Sequence, residues 1–258
     1  MRIGVYQFPS SCDINDNLEH IKAGITKAAI ENVDLLVFHE CALCGYPPIE
    51  TEIDRIEKSE IEHVLCHISR LASENRMNIA LGTVFFDDGK RYNSVVLFGK
   101  DGSILGRYDK KALWGWDTRN FEPGNKAGIF DIEGIKTGFR ICFDIRFPEL
   151  FRELYAAGTE LCFVCFSDTE KKEDPARYNI LKAHLITRAV ENVMTIVSVD
   201  STTDFQTAPT IIINHNGRVI AEANIGDEQL VIYDYERPEI SFGMRGRIEN
   251  SRRFMEKD

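Results

Sequence analysis

The sequence predicts an α/β protein, and three observations carry that prediction. Apolar runs with period two are joined by short Asp-Gly and Glu-Gly turns, as hairpins require. Between them lie segments with apolar residues at helical spacing, long enough to serve as crossover helices. One short strand, Leu35–Phe38, is wholly apolar, as expected for a sheet covered on both faces.

The elements follow in order. Residues 2–8 alternate as a strand. Leu18, Ile21, Ile25, Ala28 and Ala29 then share one helical face, with Asn15 or Asp16 as the expected cap. After Leu35–Phe38 a second helix carries Ile61, Val64, Leu65, Ile68, Leu71 and Ala72. Strands over 78–86 and 91–99 are joined through Asp-Asp-Gly, and a strand over 103–108 follows the next Asp-Gly turn. A hairpin over 129–132 and 135–141 turns at Glu133-Gly134. A helix starts at Pro148, where proline suits the first turn, and a strand lies near 160–166. A helix from about Pro175 to Asn192 and strands near 193–199, 209–214, 218–223 and 229–235 complete the series. Neither a linker nor an internal repeat divides the chain, so residues 1–258 read as one domain with a C-terminal arm from about 236.

Composition excludes several function classes. With 43% apolar and 28% charged residues the chain reads as soluble and globular. A net charge of −10 argues against nucleic-acid binding, which needs a basic face. No apolar run reaches the length of a membrane span, and Met1 leads directly into a strand rather than a signal peptide. Seven cysteines without a dense framework suit a reducing, cytoplasmic compartment.

Three strand ends hold the chemistry. In Thr137–Leu150 an apolar strand stops at Cys142 and a helix begins at Pro148. A side chain at such a turn is rigidly held beside free backbone N–H groups, which suits a nucleophile with an oxyanion hole. Alone, Cys142 reads as an inert buried cysteine. Two further strand ends change that reading: Leu35–Phe38 runs into Glu40 and a Gly-Tyr-Pro-Pro turn, and another strand ends at Lys110 before an aromatic loop closed by Phe-Glu-Pro-Gly.

This order of Glu, Lys and Cys resembles the nitrilase, or carbon–nitrogen hydrolase, superfamily. The matching motifs are Glu40 before Gly45-Tyr46, Lys110-x-x-Leu113 and Cys142-x-Asp144-x-Arg146-Phe147-Pro148-Glu149. The opening strand, Arg188-Ala-Val-Glu-Asn192, the hairpin Ile211–Ile220 and the arginine-rich tail extend the resemblance along nearly the whole chain. It implies a four-layer α-β-β-α sandwich assembled as a homodimer or larger, with the tail against a neighbouring subunit. It implies Cys142 as nucleophile, Glu40 as general base and acid, and Lys110 with the Phe143 N–H as oxyanion donors. A thioester intermediate follows, with no metal or other cofactor.

The chain departs from the family at one point. A second glutamate commonly precedes the Pro-Gly, and here Asp117 holds that place, with Glu122 as the other candidate auxiliary acid. His39 replaces a frequent proline, and Phe143 a frequent tyrosine, where the N–H is the useful group. Arg146 matches a position that in some members reads a substrate carboxylate; the competing role is an ion pair with Asp144 or Glu149. The motif around Cys142 is most similar to the small, ω-amidase-like amidases, which act on small-molecule amides. N-carbamoyl amide hydrolases share much of it, and nitrilases more often carry Cys-Trp-Glu. A catalytically silent scaffold is the alternative of another class, and it has no chemical need for all three residues.

Metal sites are the remaining competitors. Cys41-x-x-Cys44 and Cys162-x-x-Cys165 could together suggest zinc. Cys162 and Cys165 lie on a strand, however, where residues three apart face opposite ways. His63 and His67 have helical ligand spacing but lack the glutamate of a zincin motif and fall opposite the apolar stripe. The expected metal is none.

Overall fold

A computed structural model describes residues 1–255. Its first strands are β1 (Arg2–Gln7), β2 (Leu35–Phe38), β3 (Asn78–Asp87), β4 (Lys90–Phe98) and β5 (Ile104–Asp109). They are followed by β6 (Ile129–Ile132), β7 (Ile135–Ile141), β8 (Leu161–Cys165), β9 (Thr169–Glu170) and β10 (Thr195–Val199). The last are β11 (Phe205–Gln206), β12 (Ile211–Ile213), β13 (Val219–Glu222) and β14 (Gln229–Asp234). Helices are α1 (Ile14–Ile30), α2 (Lys58–Asn75), α3 (Asp117–Asn120), α4 (Pro148–Ala156), α5 (Pro175–Asn192) and α6 (Phe242–Met255).

Two six-stranded sheets form, ordered β14-β1-β2-β3-β4-β5 and β13-β12-β10-β8-β7-β6. Each has a parallel centre, β1-β2-β3 in one and β7-β8-β10 in the other, with antiparallel strands outside it. Strand alternation then builds three apolar layers. Tyr6, Leu36 and Phe38 face outward onto Ile21 and Ile25 of α1 and Ile61 and Leu65 of α2. Val5, Leu35 and Val37 face inward and meet Phe139, Phe163 and Val197 of the second sheet. Cys162, Val164 and Ile196 face outward again onto Leu154 of α4 and Leu181 and Leu185 of α5. This is the four-layer α-β-β-α sandwich.

Most expected elements form within a residue or two of their expected ends, because their periodicity is strong. The cap of α1 differs: Asp13 accepts from Asn15 N at 2.8 Å and Asp16 N at 3.3 Å, so the helix begins earlier than its apolar stripe. The tail also differs, since residues 242–255 form a helix with only Met244 buried. Two glycines and sparse burial leave little apolar periodicity there to read. Arg247 of that helix donates to the carbonyl of Val190 at 2.6 Å and to Asn216 Oδ1 at 2.9 Å. Among the described residues no helix is long and apolar enough to cross a membrane.

Candidate active site

The first sheet supplies the charges. Glu40 follows the end of β2, where the chain folds back over β3. A Cβ on Gly82 would lie 1.9 Å from His39 O, so only glycine lets the two backbones approach this closely. Glu40 N donates to Phe166 O at 3.2 Å, tying this strand end to the second sheet. His39 is buried with its ring against Phe8, and burial pushes its pKa down to about 4.

Lys110 leaves β5 directly. Gly124 N donates to Lys110 O at 2.9 Å, and a Cβ on Gly124 would meet Asp109 O at 2.0 Å. The Pro-Gly that closes the aromatic loop thus lies flat against the lysine's strand. Lys110 Nζ donates to Glu40 Oε1 at 2.8 Å and to Asp117 Oδ2 at 2.7 Å, and all three side chains are fully buried. Asp117 is fixed in turn by Tyr46 OH at 2.8 Å and Trp114 N at 3.1 Å.

These contacts set the protonation states. Burial pushes the Lys110 ammonium down, but Glu40, Cys142, Tyr46 and Asp117 together push it further up, and it lies well above the usual lysine range. Burial raises Glu40, and Lys110 opposes that rise. One cation between two carboxylates is the arrangement that makes burial of all three tolerable.

The second sheet supplies the sulfur. Cys142 stands where β7 ends, with φ at +41°, a left-handed conformation that a residue with a side chain adopts at a cost. Asp144 holds the turn: its carboxylate accepts from Ile141 N at 2.9 Å, Ala112 N at 2.8 Å and Tyr108 OH at 2.7 Å. The turn after Cys142 is thereby tied to the strand and loop that carry Lys110. Burial raises the Cys142 thiol well above its ordinary range; Glu40 raises it further, and Lys110 pulls it back.

Cys142 opens onto a cavity of about 260 Å³. Tyr46, Trp114, Trp116 and Phe143 form its aromatic wall, with Phe143 edge-on to Trp114 at 4.9 Å. Ser167, which also lines the cavity, donates its N–H to Glu40 Oε2 at 2.9 Å. The structure therefore brings Glu40, Lys110, Asp117, Cys142 and Phe143 to one place.

Arg146 also lines the cavity, and its partner is neither Asp144 nor Glu149. Its Nη1 lies 2.9 Å from His184 Nε2. Burial, Arg146 and Arg188 all lower the His184 pKa, so a neutral ring accepts from the guanidinium. Glu122 stands apart from this group: its side chain is exposed, and its N–H donates to Arg91 O at 2.9 Å. Asp117 is the carboxylate that reaches Lys110, because α3 begins at it and turns it inward.

Several neighbours of the site carry no signal in the sequence. Asn93 donates to Glu40 Oε1 at 2.7 Å, and the pair Asp168–Arg177 closes one side of the cavity, with Asp168 Oδ2 4.0 Å from Cys142 Sγ. Asn93 sits in an alternating strand and carried no motif signal. Cys162 and Cys165 occupy different apolar layers, as strand alternation requires. No group of three or more metal-ligating side chains occurs among the described residues.

The family pattern described as carbon-nitrogen hydrolase matches residues 2–242. The chain belongs to that family of enzymes. It is 27% identical to the omega-amidase NIT3 of Saccharomyces cerevisiae over 95% of this chain and 90% of that one. It is 24% identical to the omega-amidase NIT2 of Homo sapiens, over 90% and 87% of the two chains. A 2-oxoglutaramate amidase of Bacillus subtilis matches at 27%, over 81% and 80%. In fold it is similar to a mutant amidase from Nesterenkonia sp. AN1, with a TM-score of 0.85 at 18% identity over 99% of this chain and 95% of that one. That protein carries the acetamide moiety of fluoroacetamide on its active-site cysteine.

Proposed function

We propose that the protein hydrolyses a small linear amide through a thioester on Cys142, with Glu40 and Lys110 completing the triad. The observation that carries this reading is a half-buried thiol on the cavity whose charge is felt by a buried carboxylate and a buried ammonium, the last two 2.8 Å apart.

The amide carbonyl is a weak electrophile, so attack needs both an ionised sulfur and a stabilised oxyanion. As Sγ bonds to the carbonyl carbon, the thiol proton passes to Glu40. A lysine ammonium has three N–H donors. Two are held by Glu40 and Asp117, and the third serves the developing oxyanion together with the Phe143 N–H. Collapse breaks the C–N bond, and Glu40 returns the proton to nitrogen, which leaves as ammonia. Glu40 then takes a proton from water as its oxygen attacks the thioester. The C–S bond breaks, the carboxylic acid leaves, and the thiol regains its proton from Glu40. Amide and water are consumed; acid and ammonia are formed. Every group required is a side chain or backbone group of the protein.

An ω-amide carrying a carboxylate is the substrate class this reading favours. Arg146 lines the cavity beside a neutral histidine, so its charge is available to an anion. The named activities of the yeast and human relatives point the same way. The assembly is a homodimer or larger, a reading supported by the exposed Phe242 and Phe254 of α6.

Ammonia release from a panel of ω-amides, N-carbamoyl compounds and nitriles tests the substrate class, with ω-amides turned over fastest. Cys142→Ala is expected to abolish turnover with the fold intact, and mass spectrometry of the native enzyme to catch an acyl adduct on Cys142. Retained turnover in Cys142→Ala, or an adduct on another cysteine, would reject the mechanism.

A further inference from the structure

Glu40 is the most heavily tethered group in the molecule that also has to move a proton. Its Oε1 accepts from Asn93 Nδ2 at 2.7 Å and from Lys110 Nζ at 2.8 Å, whereas among the described residues its Oε2 accepts only from Ser167 N at 2.9 Å. A carboxylate offers about four lone-pair directions, two on each oxygen. Both on Oε1 are taken and one on Oε2 is open.

We infer that Asn93 is a positioning residue for Glu40: its amide closes Oε1 and leaves Oε2 as the oxygen that exchanges protons with Cys142, ammonia and water. Asn93 is suited to this by three further contacts. It is buried on β4 opposite Val84 of β3, so strand pairing fixes its backbone. Its carbonyl accepts from Lys110 N at 2.8 Å, so one residue holds the base by its side chain and the lysine by its main chain. The Cys41 thiol lies 3.7 Å from Asn93 Oδ1 and donates to it, which fixes the amide with nitrogen toward Glu40. Cys41 is thereby given a role that a zinc reading of Cys41-x-x-Cys44 did not supply.

The inference rests on Glu40 being the base, and it can be separated from that reading. The groups facing Glu40 are Lys110, which favours its ionised form, and Asp117, Tyr46, Cys41, Cys142 and Cys165. Asn93 donates more strongly to the ionised form than to the neutral acid, so its loss disfavours the carboxylate and moves the acid limb of the kcat/KM profile to higher pH.

Asn93→Asp keeps size and the Cys41 contact but turns an oxygen toward Oε1. The expected fall in kcat is roughly 10–100-fold, the range for losing a hydrogen bond to a charged group, with KM changed less than about twofold. The acid limb should move up in Asn93→Ala and further in Asn93→Asp, which adds a charge as well as losing a donor. If Asn93→Asp does not fold, the limb of Asn93→Ala decides alone. Lower thermal stability with an unmoved limb would mean Asn93 is merely structural and would overturn the inference. So would an inactive Glu40→Gln enzyme beside fully active Asn93 variants, with the base assignment left standing. An active Glu40→Gln enzyme would overturn both.

Discussion

The two sheets bring unlike halves to the cavity. The first contributes Glu40, Lys110, Asn93 and Asp117, all buried and joined by hydrogen bonds of 2.7–2.8 Å. The second contributes Cys142, half-buried on a left-handed backbone and in contact with the cavity. Under the proposed mechanism the difference follows from what each half does. Charges that stabilise a transition state work best when fixed beforehand and shielded from water. A nucleophile has to meet its substrate, so it must remain accessible, and it is held by backbone geometry instead of a shell of partners.

That contrast can be broken from either side. Lys110→Met strikes the shielded half and should have the largest effect. It leaves Glu40 and Asp117 buried without their cation, costing about 3–5 kcal/mol of stability, as removal of one partner from a buried pair does. Turnover should fall by roughly 10²–10³ through the lost oxyanion donor. Denaturant melts and kcat at a permissive temperature separate the two effects. If kcat fell while stability stayed at the wild-type value, the charges would not be the locked unit described above.

Asp144→Asn strikes the accessible half and should matter less. An amide has one acceptor oxygen where the carboxylate has two, so Ile141 N or Ala112 N loses its partner. An unsatisfied buried donor costs about 1–3 kcal/mol. The alkylation rate of Cys142 should change along with kcat, because the turn that presents the sulfur relaxes. An unchanged alkylation rate would show that the left-handed turn does not depend on Asp144.

Arg146→Gln leaves both the buried charges and the sulfur in place and should have the narrowest effect. KM for a carboxylate-bearing ω-amide should rise by roughly 10–100-fold, the value of a charge-assisted hydrogen bond. Neutral amides of similar size should be unaffected. A uniform rise for both would make Arg146 a packing residue.

Along the chain, local pattern fixed a great deal. Helices α2 and α5 and the hairpin of β6 and β7 were legible because their apolar spacing and turn residues depend only on neighbours. The placement of Glu40, Lys110 and Cys142 just beyond strand ends was legible because a strand end is a local feature. The contacts that give them their properties were not. Asn93 is 53 residues from Glu40, and Ser167 is 127 residues away, so no spacing rule connects them. Asp117 and Glu122 could not be told apart by position, since only the fold of α3 turns one carboxylate inward and leaves the other in water. Strand periodicity and turn chemistry are written over a few residues. Burial, charge pairing and the closing of one oxygen of Glu40 arise where two sheets meet, and only tertiary packing decides which groups meet there.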